Sequence, residues 1–258
     1  MKDVEVVTIK SIELKNPILI EGLPGVGHVG KLVAEYLIEE LEAQKILEIY
    51  SPHFPPQVVV NPDGCVRMVK NEIFAYTSDD VELLILIGDH QSNTNEGHYL
   101  LTETFIDIAK QYNVKRIYTL GGYGIGQLVE NPRVIGAVND ISLVEEMKSY
   151  GVEFSENEPG GGIIGVSGLM LAFGAMHGIE AVCLMGVTSG YLVDPRSAQA
   201  VLRILREILG IEIDMDALEK RGKEMETIVA RLKEMEQMQG ETEPGTTIAP
   251  EDALDYIR

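Results

Sequence analysis

Over its first two hundred residues the chain alternates short aliphatic runs with longer stretches whose apolar positions recur at helical spacing. Pro17-Ile-Leu-Ile-Glu21, Ile46–Tyr50, Gln57–Val60 and Ile73–Thr77 have the length and branching of strands. Glu82-Leu-Leu-Ile-Leu-Ile-Gly88 is the clearest strand, apolar at nearly every position, as a strand covered on both faces should be. Helices are predicted from the glycine-rich stretch after Glu21 to about Glu42, and from Glu96 to Gln111. Arg116-Ile-Tyr-Thr-Leu120 reads as a strand running into Gly121-Gly122, followed by an irregular part. An apolar helix over Gly165–His177, a strand over Ala181–Gly186 and a helix from Asp194-Pro195 to Leu209 complete the series, with Pro at a first-turn position. This order of elements predicts a three-layer α/β/α domain over residues 1–210, with a mostly parallel sheet between helices.

The pattern changes after Gly210. Residues 211–239 form one helical pattern, with Leu218, Met225, Ile228, Leu232 and Met235 at heptad-like spacing, interrupted by Arg221-Gly222. This segment is expected to pack on its own domain or to join copies of the chain. Residues 240–258 are expected to be a flexible acidic tail, rich in Glu, Thr, Gly and Pro, ending in the amphipathic tip Ala253-Leu-Asp-Tyr-Ile-Arg258.

The charge balance narrows the partners. A formal net charge of −20 disfavours phosphate backbones and anionic lipid surfaces alike, so neither nucleic acid nor membrane is expected as a partner. No apolar run is long enough to span a bilayer, and no secretory signal opens the chain. Cys65 and Cys183 each sit among apolar neighbours, which predicts free thiols in a reducing cytoplasm.

The most conspicuous local feature is Gly22-Leu-Pro-Gly-Val-Gly-His-Val-Gly-Lys31. Gly25, Gly27 and Gly30 match a dinucleotide-binding loop between strand and helix, and Glu48 ends the next strand, near where a ribose-binding carboxylate belongs. Gly25, Gly30 and Lys31 nearly match a P-loop, but Leu32 stands where a Mg²⁺-ligating Ser or Thr is needed. Two readings of Gly22, Gly25, Gly27, Gly30, Lys31 and Glu48 follow. One is a site for a nucleotide or another phosphate ligand, on a binding protein or enzyme. The other is a tight turn whose glycines let helix and sheet pack closely.

The loop also resembles the opening motif of the proteasome assembly chaperone family, particularly its archaeal members. Further stretches match in order: Gly88-Asp-His-Gln91, Gly121-Gly122, Gly165-Val-Ser-Gly-Leu169, and Gly186-Val-Thr-Ser-Gly-Tyr-Leu-Val-Asp-Pro195 with Ala198. The resemblance covers roughly residues 17–209. It implies an α/β/α fold akin to nucleoside phosphorylases, homo-oligomers, and binding of proteasome α-subunits to promote core-particle assembly. It implies no catalytic site and no cofactor, and it favours the architectural reading of the loop. The C-terminus is similar to docking tripeptides of some proteasome-binding proteins (hydrophobic residue, Tyr, any residue) but departs from them. Here Tyr256-Ile257-Arg258 places Tyr third from last.

Other residues carry less. Asp89, His90, Glu96 and His98 lie close in sequence, yet the stretch between them has loop composition and no His pair has one-face helical spacing. Capping and turn bonds account for Asp89, Ser92 and Asn95 in this stretch. Ser189 lies in Thr-Ser-Gly and not in a nucleophile elbow.

Overall fold

The structure is a computed structural model, and its described residues are 1, 3–215 and 220. Two compact units divide the chain, Met1–Gly222 and Lys223–Arg258, and all that follows concerns the first. The expected helix over 211–239, apart from its first residues and Lys220, lies outside the described residues. So does the tail over 240–258 with Tyr256, Ile257 and Arg258.

An eight-stranded sheet forms the middle layer. Its order is β1 (Glu5–Thr8), β3 (Gln44–Tyr50), β6 (Asn71–Thr77), β7 (Glu82–Gly88), β2 (Ile18–Glu21), β8 (Arg116–Gly124), β10 (Glu180–Thr188) and β9 (Val134–Val138). The four inner strands β7, β2, β8 and β10 are mutually parallel. Pairing on both flanks is antiparallel, so the sheet is mixed and not mostly parallel. For the pair β6 and β7 the cause is connection length. Between β6 and β7 the chain makes a tight turn, closed by Ser78 N–H donating to the Val81 carbonyl at 2.9 Å, too short for a parallel crossover. The segment expected as a strand at Gln57–Val60 leaves the main sheet. Its β4 (Val58–Val60) pairs with β5 (Val66–Met68) in a separate two-stranded ribbon.

Helices cover both faces. On one, α1 (Val29–Glu40), α3 (Leu143–Ser149) and α5 (Pro195–Leu209) bury Val33, Leu37, Met147, Val201 and Leu205 against Ile20, Ile85, Tyr118 and Leu184. On the other, α2 (Asn95–Gln111) and α4 (Val166–His177) bury Leu101, Phe105, Val166 and Met170 against Leu19, Leu84, Ile117 and Cys183. The alternating faces of β2, β7, β8 and β10 therefore feed two separate cores, which is why these strands read as continuous apolar runs. Local signals set the helix ends. Thr94 caps α2 by accepting from Gly97 N–H at 3.0 Å. Asp194 caps α5 by accepting from Ser197 N–H at 3.0 Å, with Pro195 next to it.

Candidate functional site at the carboxyl ends of the parallel strands

In open α/β sheets, ligands and partners meet the loops at the carboxyl ends of the parallel strands. Here five loops converge there: those following β2, β7, β8 and β10, and the one leading into α4.

The glycine loop is packed against protein at Gly22, Gly27 and Gly30. A Cβ on Gly30 would lie 2.1 Å from the Leu120 carbonyl oxygen, and one on Gly22 would lie 2.4 Å from the Gly30 carbonyl oxygen. These two glycines let α1 touch β8. Gly27 has φ +62°, and its open side is filled by Thr188, whose Oγ1 would stand 3.1 Å from a Cβ. Gly27 also accepts a hydrogen bond at its carbonyl from Asp194 N–H at 2.9 Å, which ties the loop to the cap of α5. Thr188 Oγ1 in turn donates to Asp194 Oδ2 at 2.6 Å. Gly122 supports Val26 from below, since a Cβ there would lie 2.2 Å from the Val26 carbonyl oxygen. Gly25 differs: its backbone is extended, and no atom crowds the place of a side chain.

The remaining loop residues of interest do not gather around it. Lys31 pairs with Glu35 at 3.6 Å along α1. Glu48 lies on β3, three strand steps from β2, about 14 Å by ordinary strand spacing. It is engaged there by Lys70, by Lys45 at 2.9 Å and by the Tyr50 hydroxyl at 2.8 Å. Burial raises the Glu48 carboxyl, but these bonds outweigh it and hold the group down at about 2. The structure thus separates Glu48 from the loop with which sequence spacing had paired it.

Beneath the loop sits a buried polar knot. Glu21, fully enclosed at the end of β2, accepts from Leu23 N–H at 2.8 Å and from the Ser167 hydroxyl at 2.8 Å. Burial raises its carboxyl to about 7, and the two donors recover part of that shift. Gln91 bridges the same region: its Nε2 donates to the Pro24 carbonyl at 2.7 Å, and its Oε1 accepts from Val166 N–H at 3.2 Å. A Cβ on Gly165 would lie 2.8 Å from that Oε1. Residues from Gly22–Gly30, Gly88–Gln91, Gly121-Gly122, Gly165–Leu169 and Gly186–Pro195 therefore meet in one scaffold.

This scaffold offers little chemistry. Burial pushes the Cys183 thiol up to about 12, far from a thiolate at neutral pH. Asp89 is clamped by the Arg67 guanidinium at 2.6 and 2.8 Å, and His90 Nε2 is 2.5 Å from Gln57 Nε2. Among the described residues no group of His, Cys, Asp and Glu is arranged to hold a metal ion. No helix among them is long and apolar enough to cross a membrane.

Outward the scaffold presents a group of apolar side chains, with His28, Gln127 and Glu130 exposed among them. The loops after β8 and β10 are stitched together by Ile125 N–H to the Thr188 carbonyl at 3.0 Å and Gly126 N–H to the Ser189 carbonyl at 3.2 Å. Val26 packs over Gly124 and Gly190, and the Tyr191 hydroxyl rests near Gly126. Exposed on this rim are Val26, Ile125, Leu128, Tyr191, Leu192 and Val193. Sequence reading missed both the rim and Glu21. The available signals were single large apolar residues inside glycine-rich loops, and one carboxylate closing an otherwise apolar strand.

The comparisons with known proteins agree with this architecture. The PAC2 family model matches residues 19–233. A Methanocaldococcus jannaschii relative, MJ1210, described as uncharacterized, is 42% identical over 230 residues, covering 89% of this chain and 88% of its own. The crystal structure of Pyrococcus furiosus PbaB, described as an archaeal proteasome activator, matches with a TM-score of 0.86 and 39% identity, over 90% of this chain and 100% of that one. Pyrococcus furiosus PbaA, described as an archaeal homolog of proteasome-assembly chaperone, matches with a TM-score of 0.75 and 27% identity, over 92% and 94% of the two chains. With most of its length matched by the family model, the chain belongs to the PAC2 family.

Proposed function

We propose that the protein is a proteasome assembly chaperone that binds proteasome α-subunits in the cytoplasm and promotes core-particle assembly by contact, without a cofactor and without catalysis. The observation that carries this reading is the rim. At the sheet edge where an enzyme of this class would gather its catalytic groups, the loops present Val26, Ile125, Tyr191 and Leu192 on a glycine-built scaffold. The likeness to PbaA and PbaB supports a proteasomal partner. The protein works as a homo-oligomer, and its terminal Tyr256-Ile257-Arg258 acts as an auxiliary docking tip whose individually weak contacts add by avidity.

PbaB is described as an activator, which favours a second reading in which the client is the assembled particle. One experiment separates the two. Purified α-subunits and preassembled core particles are each titrated with the full chain, with a Tyr191→Glu, Leu192→Glu variant, and with a chain lacking Tyr256–Arg258. Assembly chaperoning requires complex formation with free α-subunits, weakened at least tenfold by the rim variant and less by the deletion. Binding restricted to preassembled particles establishes the activator reading. No binding to either disposes of both.

A further inference from the structure

Among the described residues Glu21 is the one carboxylate that is buried, and it has no exposed surface at all. Across the sheet it stands in a row with its register partners, Leu86 on β7 and Thr119 on β8, and beyond them Cys183 on β10. The first turn of α4 meets this row through the Ser167 hydroxyl, which donates to Glu21 Oε2 at 2.8 Å. Its second donor, Leu23 N–H at 2.8 Å, is neutral as well. A buried carboxylate held by neutral donors favours its protonated form, because ionisation costs it hydration and gains it no counter-charge.

The surrounding elements leave that cost in place. From Pro159 through Ile179 the chain has no Asp, Glu, Lys or Arg, and His177 sits at the far end of α4. On β10 burial pushes the Cys183 thiol up and keeps it neutral, and on α2 burial lowers His98. In the adjoining loops Lys31 pairs with Glu35, Asp89 with Arg67 and His90 with Gln57, while His28 is exposed. The segment leading into α4 is built to yield. Residues 159–165 form neither helix nor strand, and Gly161, Gly162 and Gly165 have φ of +77°, +105° and +97°. Gly161 and Gly162 have open space where a side chain would stand, and Ile164 is 97% exposed. Yet the Ile163 carbonyl rests on the first turn, where a Cβ on Gly168 would lie 2.4 Å from its oxygen. This strap and the Ser167 bond therefore move together.

We propose that Glu21 is a pH-operated latch: neutral, it holds the first turn of α4 shut on the sheet, and its ionisation lifts the strap before α4 to admit water. The carboxyl stands at about 7 when enclosed and at 4.5 when open to solvent. The latch is therefore fully set below pH 4.5, weakens as pH rises, and levels off above about 7. Hydrogen exchange by mass spectrometry on the full chain tests it between pH 5 and pH 9, with the intrinsic pH dependence of amide exchange removed. In the wild type, peptides covering 163–172 should open on the order of 50-fold more at pH 8 than at pH 5, and equally at both in Glu21→Gln. They should also exchange well ahead of peptides from α5. Ser167→Ala removes a donor that steadies the ionised carboxylate, so its opening should keep rising above pH 7, where the wild type levels off. Matching pH profiles for the wild type and Glu21→Gln overturn the latch, as does a Ser167→Ala effect equal at every pH. Exchange of 163–172 and α5 at one common rate means whole-molecule unfolding and overturns it too. If Glu21→Gln does not fold, the Ser167→Ala profile decides alone.

Discussion

Helices α4 and α5 lie on opposite faces of the same sheet, and they solve the problem of having an outside in different ways. The inward positions of α5, Ala198, Val201, Leu202, Leu205 and Leu209, form the buried stripe, flanked by half-buried Ala200, Ile204 and Ile208, and Arg203, Arg206 and Glu207 lie outside them. The inner stripe of α4 is just as well buried, but its outer stripe is apolar too. The first helix is largely covered by its own chain; the second leaves Ala172 and Met176 exposed. The same contrast recurs at the sheet's carboxyl edge, where hydrogen bonds complete the interior of the loop scaffold and apolar side chains are left on its rim.

The contrast is broken most severely by truncating one side chain on each helix. Leu202 is fully buried between α5 and the sheet, so Leu202→Ala should cost roughly 2–5 kcal/mol in denaturant unfolding. Met176→Ala should change the stability of the chain by less than about 0.5 kcal/mol. Equal costs at the two sites would mean that α4 is covered by its own chain after all.

The second test concerns the Glu21 knot, which anchors α4 to β2. Burial takes the Glu21 carboxyl from 4.5 to about 7, so the folded state holds a proton that the unfolded state has already released between those values. The corresponding stabilisation is complete below pH 4.5 and is lost as pH rises through 7. In Glu21→Gln the side chain keeps the neutral shape, accepting from Leu23 N–H and donating toward Ser167. From pH 5 to pH 8 the wild type should lose stability relative to this variant, by on the order of 3 kcal/mol. Parallel pH profiles for the two proteins would show that Glu21 stays ionised throughout.

Much of this architecture was legible in the sequence, for reasons that also explain what was not. Strands β7 and β10 are buried on both faces and so appear as unbroken apolar runs, and α5 announces itself by Asp194-Pro195 and a clean stripe. β9 was hidden because Gly136 interrupts a short edge strand where a Cβ would lie 2.6 Å from Val152. Strand direction was hidden too: periodicity reports burial and not pairing, so the antiparallel flank of β1, β3 and β6 left no mark. In the site, the glycine motifs were visible one by one, but their meeting around Glu21 and Gln91 is a product of the fold. Glu48 shows the reverse, since a correct sequence interval from the loop became three strand steps of separation once β6 and β7 intervened.

The smallest expected effects distinguish scaffold from ligand site within the glycine loop. Asp194→Ala removes the α5 cap and the tie to Thr188, and should cost about 1 kcal/mol or somewhat more in melting experiments. Lys31→Ala removes a half-exposed pair with Glu35 and a minor charge effect on Asp89, and should leave stability within about 0.5 kcal/mol. A phosphate site would order these differently once ligand is present, because ligand stabilisation would then depend on Lys31.

The central claim, that this fold recognises protein and not a small molecule, is tested most directly by following the melting temperature of the full chain under two titrants. One is a purified proteasome α-subunit; the other is a panel of adenine nucleotides and dinucleotides. A ligand that binds the native state must raise stability with its concentration. The expected result is a saturable rise with the α-subunit, unaffected by Lys31→Ala and lost in Tyr191→Glu, Leu192→Glu, with no shift from any nucleotide. A rise of several degrees with a nucleotide that disappears in Lys31→Ala, and none with the α-subunit, would contradict it.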